Sequence, residues 1–245
     1  MHNIVTIKNS NTMKNILLKY YNEKYGISTF ENIHNILNTD IIHETEKEFY
    51  KNKIPLFGKT DRNSCFVKFF YKIFDRDYNI LIAYINFIIN EIKPLFPNEK
   101  YLIIQKTPNI RFHLPGFSNI GRRLDCKDEN EFIGVHYDGE FGHPKEEINV
   151  VLPITKMYET NSIYFENEPN KNIEYKNYNN LKLDENEFYM GNLNQCKHYN
   201  KINKTNITRV SFDFRIIPYS KFKKSTELSA TGKINFEIGK YYMLI

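Results

Sequence analysis

Hydrophobic positions recur with two different periods along this chain, and the change falls close to Tyr101. Before it the spacing is helical. Leu17, Leu18, Tyr21 and Tyr25 fall one turn apart, and Gly26 supplies a stop. Ser28-Thr29-Phe30-Glu31 has the form of a capping box opening a second helix. From Cys65 to Leu95 the chain is apolar on most faces, which predicts one or two helices packed on a sheet, with Pro94 ending them. After Tyr101 short apolar or alternating runs take over, separated by turn residues. They are Tyr101–Thr107, Ile110–Leu114, Phe132–Asp138, Glu147–Ile154, Ser162–Glu166, Glu187–Met190 and Thr208–Ile217. Strands this short and this evenly spaced predict an antiparallel sandwich or jelly roll. The polar, Asn-rich stretch from Glu168 to Asn180 is read as a loop whose composition follows the bias of the whole chain.

The resulting fold class is α+β with a mainly β core. The 245 residues are one domain: a mainly helical support over 1–98, a β core over 99–218, and a C-terminal extension over 219–245 packed on that core. No internal repeat or flexible linker divides it.

Charge and composition narrow the function. The net charge is +5, but the lysines are scattered among Asn, Ile and Tyr, whereas a nucleic-acid reader concentrates charge on one face or element. The run Lys221-Phe222-Lys223-Lys224 is read as a solvated turn. No nucleic-acid partner is expected. The start, Met1-His2-Asn3-Ile4-Val5, lacks the apolar core of a signal peptide. The most apolar stretch, 80–92, is broken by Asn86 and Asn90 and is too short to span a bilayer. Cys65, Cys126 and Cys196 are odd in number and lack metal-type spacing. A reduced, cytoplasmic protein without a membrane partner is expected, in which the Asn203-Lys204-Thr205 and Asn206-Ile207-Thr208 sequons carry no meaning.

Three short stretches carry chemistry: His136-Tyr137-Asp138, His198, and Arg209-Val210-Ser211. Side chains at i and i+2 on a strand point to one side, so His136 and Asp138 converge and Tyr137 faces away. Two His and one carboxylate bind one face of an iron(II) ion and leave its other positions open. His198 is the best second His. Along the last strand Arg209, Ser211, Asp213 and Arg215 share one face, with Val210, Phe212, Phe214 and Ile216 on the other. Arg209 offers a planar fork for the far carboxylate of 2-oxoglutarate, and Ser211 adds a further bond. Arg215 is the reserve anchor; the bland reading makes Arg209, Asp213 and Arg215 a buried ion-pair ladder. Gln105 is a candidate for the co-substrate's inner carboxylate. Arg111 and His113 alternate on one strand face, as do Glu147 and Asn149. Arg111, His113 and Asn149 are substrate candidates, although an outward solvated face fits them equally. His143 follows the His-x-Asp pair on a loop and is read as a surface residue; His2, His34 and His43 receive no role.

Together these residues resemble the iron(II)/2-oxoglutarate-dependent dioxygenases, and more narrowly the branch that includes a streptomycin-biosynthesis oxygenase. The resemblance is carried by His136-Tyr137-Asp138, Phe141-Gly142-His143-Pro144, Glu147-Ile148-Asn149, Leu152-Pro153-Ile154-Thr155, His198 and Thr208 to Arg215, with Thr107 to Gly116 adding to it. The first ninety residues add nothing. The resemblance implies a double-stranded β-helix, a jelly roll of the cupin kind. It implies iron(II) on His136, Asp138 and His198, and 2-oxoglutarate on Arg209 with Ser211. It further implies an O2-consuming hydroxylase of a small polar metabolite that releases succinate and CO2. Asp138 disfavours the halogenating variants, which lack that carboxylate. A cupin-like isomerase or ligand-binding protein that does not use 2-oxoglutarate is the alternative; Arg209-x-Ser211 argues against it. An inactive scaffold is the third reading, disfavoured by the intact metal set.

Overall fold

The computed structural model describes residues 2–8, 12–39, 64–117, 132–171, 173–223, 228 and 235–245. His43, Cys126 and Lys224 lie outside the described residues. Two antiparallel sheets form the body. The larger has the strand order β1 (Asn3–Thr6), β8 (Glu187–Gly191), β5 (Ile148–Pro153), β10 (Arg209–Pro218), β2 (Leu102–Gln105), β11 (Tyr242–Leu244), and β3 (Asn109–His113) also pairs with β10. The smaller has the order β4 (Phe132–His136), β9 (His198–Lys201), β6 (Ile163–Phe165), β7 (Asn179–Asn180). From β3 to β10 the chain crosses between the sheets at every step except β6 to β7, so residues far apart in sequence face each other across the interior.

The long strand β10 organises the packing. Phe212 pairs with Ile110 of β3 on one side and Leu152 of β5 on the other. Its apolar face, Val210, Phe212, Phe214 and Ile216, is buried in the main core with Leu17, Tyr21, Phe66 and Phe70. Those residues belong to the helices α1 (Thr12–Tyr25) and α2 (Cys65–Phe74). The ring of Phe70 lies 5.4 Å from that of Phe212, and Tyr84 meets Phe214 edge-on at 5.1 Å. The helices are therefore the cover of the larger sheet. The opposite face of β10 carries Arg209, Ser211, Asp213 and Arg215, as the alternation predicts.

The apolar stretch from Cys65 to Leu95 forms two helices. Ser64 caps α2 by accepting from Val67 N at 3.2 Å. Asp77 caps α3 (Tyr78–Phe87) by accepting from Asn79 N at 2.7 Å. A π-helical turn, Ile88–Ile92, and a 3-10 turn, Lys93–Leu95, complete the segment. The Tyr84 hydroxyl donates to the Gln105 carbonyl at 2.8 Å and ties α3 to β2.

The capping box at Ser28 does not form. Residues 26–32 are irregular, and the following helix is a short 3-10 segment, Ile33–Asn38. Tertiary contacts prevail over the local signal here: Phe30 is fully buried against Tyr21, and the Glu31 carbonyl accepts from Thr208 N at 2.8 Å. Four strands escaped the sequence reading: β1, β7, β9 and β11. The first and last are three or four residues at the ends of the larger sheet. The Asn-rich loop contains β7, whose Asn179 and Asn180 pair with Phe165 and Tyr164. In β9, His-Tyr-Asn-Lys shows no apolar alternation, because its inward residues serve a polar site.

Candidate metal centre

His136 ends β4 and His198 opens β9, and the two are direct partners in the strand register. That alignment depends on an irregularity. The register shifts between Ile133 and His136, and Gly134 adopts φ +68°. A left-handed residue inserted in one strand is a bulge, and only glycine takes that conformation without cost. The bulge turns His136 to face His198, with ring centroids 4.5 Å apart. Asp138 is not on the strand. It begins a 3-10 turn, Asp138–Phe141, while Tyr137 keeps an extended backbone (φ −121°, ψ 147°). The His-x-Asp convergence predicted from strand geometry survives because that single extended residue still separates the two.

Asp138 Oδ1 lies 3.9 Å from His136 Nε2 and 3.8 Å from His198 Nε2, and among the described residues these three form the cluster able to hold a metal ion. A first-row ion sits roughly 2.1 Å from such ligands, so donors must lie within about 4.2 Å of one another; both Asp138–His distances comply. The tautomers suit the same role. His136 Nδ1 donates to the Gly134 carbonyl at 2.5 Å and His198 Nδ1 to the Cys196 carbonyl at 3.0 Å, which turns both Nε2 lone pairs toward Asp138. Backbone partners of this kind orient metal-binding imidazoles. Burial, then the neighbouring His198, pushes the His136 pKa down to about 4, so the ring is a neutral donor. Burial alone would raise the Asp138 carboxyl; Arg215, then His198, His143 and His136, together outweigh it and hold the group well below the usual carboxylate range. The donor set is thus two imidazoles and one carboxylate, the chemistry a divalent iron requires.

Oδ2 of Asp138 is engaged separately. Arg215 Nη2 donates to it at 2.6 Å and Asn149 Nδ2 at 2.8 Å. Arg215 Nη1 also lies 2.9 Å from Asp213 Oδ1, and Asp213 lies 3.6 Å from Arg111. The ladder envisaged for this face therefore forms between Asp213 and Arg215. Arg209 is buried at 1% exposure, with Nη1 donating to Ser211 Oγ at 3.1 Å.

The remaining candidates divide by environment. Arg111 lies opposite Ser211 in the register and close enough to lower the His136 pKa. His113 is fully buried opposite Arg209. Its Nδ1 faces the Asn161 carbonyl at 3.1 Å and its Nε2 the Phe117 carbonyl at 2.9 Å, so neither nitrogen is available to a substrate. Burial, with Arg209 second, pushes its pKa down to about 3. Asn149 uses both ends of its amide within the protein, since Oδ1 accepts from Asn194 N at 2.8 Å. Gln105 is buried, with Nε2 donating to the Thr107 carbonyl at 2.6 Å. His143 is not a simple surface residue. Its Nδ1 donates to Glu147 at 2.8 Å, its ring lies 4.6 Å from that of Phe236, and the Tyr242 hydroxyl donates to the other oxygen of Glu147. Asn194 and Gly134 escaped the sequence reading. An isolated glycine within a strand pattern is a bulge signal, and Gly134 carried it; Asn194 carried none.

No family model matches the chain. Among curated proteins it is similar to the streptomycin biosynthesis protein StrG of Streptomyces griseus, 28% identical over 139 residues. The match spans 57% of this chain and 58% of that protein. Among solved structures it is similar to the nickel complex of the non-heme monooxygenase ThoJ, at 11% identity and TM-score 0.43, covering 88% of this chain and 73% of that one. It is also similar to iron-bound HygX from Streptomyces hygroscopicus, at 11% identity and TM-score 0.33, covering 69% of this chain and 84% of that one. Overlaps this loose leave the architecture to stand on its own strand pairing. The resemblance read from the motifs holds in sequence: this chain is similar to the streptomycin-biosynthesis branch that those motifs indicated.

Proposed function

We propose that this protein is an iron(II)- and 2-oxoglutarate-dependent oxygenase that hydroxylates a small polar metabolite, releasing succinate and CO2. The observation that carries the reading is the convergence of His136 Nε2, His198 Nε2 and Asp138 Oδ1 in one buried set. These three would hold the iron. With its co-substrate bound, that ion supplies the oxidising chemistry for an unactivated carbon; the chain binds, orients and excludes water. Arg209 with Ser211 would hold the distal carboxylate of 2-oxoglutarate. What favours Arg209 over Arg215 is that Arg215 already serves Asp138 and Asp213. Gln105 would meet the inner carboxylate. Arg111 is retained as a substrate contact; the bonds of His113 and Asn149 suit internal roles better.

The strand order supports a double-stranded β-helix. β3, β10, β5 and β8 make one face and β4, β9, β6 and β7 the other, and the chain crosses between them at each step from β3 to β10 except β6 to β7. Residues 1–98 would be its helical support, 99–218 the catalytic core, and 219–245 an extension on that core. No helix among the described residues is long and apolar enough to cross a membrane. Cytoplasmic residence is part of the proposal; the thiol of Cys196 is free and buried, as a reducing compartment permits.

Incubation with iron(II), 2-oxoglutarate and O2 against a panel of polar metabolites tests the reading. Succinate should form in step with oxidation of one member, and Asp138→Ala should abolish both. Metal-dependent turnover of a panel member without 2-oxoglutarate consumption would replace this reading with the cupin-like alternative.

A further inference from the structure

The carboxylate of Asp138 is gripped unevenly. Oδ2 accepts from Arg215 Nη2 at 2.6 Å and from Asn149 Nδ2 at 2.8 Å, while Oδ1 faces the two imidazoles. We propose that Asn149 and Arg215 are positioning residues which occupy Oδ2 and so confine Asp138 to one-oxygen coordination of the metal. This rests on the metal reading proposed above, and it assigns both residues a task other than contact with substrate or co-substrate.

Both donors are themselves fixed. Asn149 sits on β5 directly opposite Arg215 on β10, so the two approach the same oxygen from neighbouring strands. The Asn149 carbonyl oxygen accepts from Asn194 N at 2.8 Å, which settles the orientation of its amide and aims the NH2 group at Asp138. Asn194 closes the clamp from the other side. Its carbonyl accepts from Gly139 N at 2.8 Å, and its side-chain NH2 donates to the Pro144 carbonyl at 3.0 Å. A Cβ on Gly139 would come within 2.9 Å of that Asn194 carbonyl, so the turn after Asp138 is seated against the clamp. Arg215 Nη1 also lies 2.9 Å from Asp213 Oδ1, an ion pair that keeps the guanidinium beside Asp138.

The consequence is geometric. A carboxylate with both oxygens free can chelate one ion and take a second coordination position. With Oδ2 held by two donors, Asp138 contributes a single oxygen, and the position a second would take stays open. Partners behind a ligating group typically change metal affinity by about 10–100-fold when removed.

Cobalt(II) titration of the metal-free protein, followed by its visible absorption, reads this without turnover. Asn149→Leu and Arg215→Leu should each weaken cobalt binding by about 10–100-fold and alter the absorption envelope that reports coordination number. Arg215→Lys, which keeps one donor, should recover part of the affinity. Circular dichroism identifies variants that keep the fold, and Asn149→Leu, a near-isosteric change, serves if neither Arg215 variant does. Folded variants that bind cobalt with wild-type affinity and spectrum overturn the positioning role. Failure of the wild type to bind cobalt, or wild-type binding by His136→Ala, overturns the metal reading itself.

Discussion

At the scale of single residues, the account turns on which arginine does what. Arg215 is committed to two carboxylates, whereas Arg209 lies buried beside Ser211 at the far end of the same face. Arg209→Ala should therefore raise the 2-oxoglutarate requirement by roughly one and a half to three and a half orders of magnitude, since losing one member of a buried charged pair costs about 2–5 kcal/mol. Arg209→Lys should recover only part, because an ammonium cannot form the two-bond fork. Normal 2-oxoglutarate affinity in Arg209→Ala would return the anchor to Arg215. His113 sets a pH limit on the fold. Its pKa is pushed down to about 3 in the native state, against about 6.5 in an unfolded chain. Between those values the unfolded chain binds more protons, so stability falls as pH drops. The melting temperature of the metal-free protein should decline from about pH 6.5 downward, and a flat profile to pH 4 would contradict the neutral, buried imidazole. The cluster of His136, Asp138 and His198 was legible in the sequence because each is a distinctive chemical type at a distinctive spacing. Their supports were not. Asn149, Asn194 and Arg215 are ordinary polar residues until the strands bring them to one carboxylate.

At the scale of elements, the pattern of alternation decided what could be read. β10 was legible because its two faces differ sharply in polarity, one packed on helices and one lining the site. β9 was not, since its inward His198 and Asn200 are polar and its Tyr199 is buried in an aromatic cluster on the other side. The second helix failed for a different reason: burial of Phe30 and the Glu31–Thr208 bond outweigh a capping signal worth about 1 kcal/mol. The bulge at Gly134 joins element and site. Gly134→Ala forces a side chain into a left-handed conformation at a cost of about 1–2 kcal/mol. It should lower the melting temperature and weaken metal binding together, because it displaces His136 relative to His198. A loss of stability with wild-type metal affinity would show that the bulge serves the strand alone.

At the scale of the whole molecule, the helical half and the strands share one core. Leu17, Tyr21, Phe66, Phe70 and Tyr84 pack with Val210, Phe212, Phe214 and Ile216. Removing residues before Asn98 would expose that face of the larger sheet and take away its edge strand β1. A fragment beginning at Asn98 should be insoluble or unfolded; a stable fragment with native metal affinity would make the N-terminal half dispensable. The two-period hydrophobic pattern announced this division into helices and strands. The two-sheet topology was less legible, because pairing between strands distant in sequence leaves no periodic trace.

The central claim is that one buried triad holds iron and one arginine holds the co-substrate. Anaerobic measurement of iron(II) and 2-oxoglutarate binding on the same preparations tests it most directly. The account predicts one iron per chain in the wild type, loss of iron in His136→Ala, Asp138→Ala and His198→Ala, and retention of iron with loss of 2-oxoglutarate binding in Arg209→Ala. Iron bound equally by the wild type and the three triad variants would contradict it.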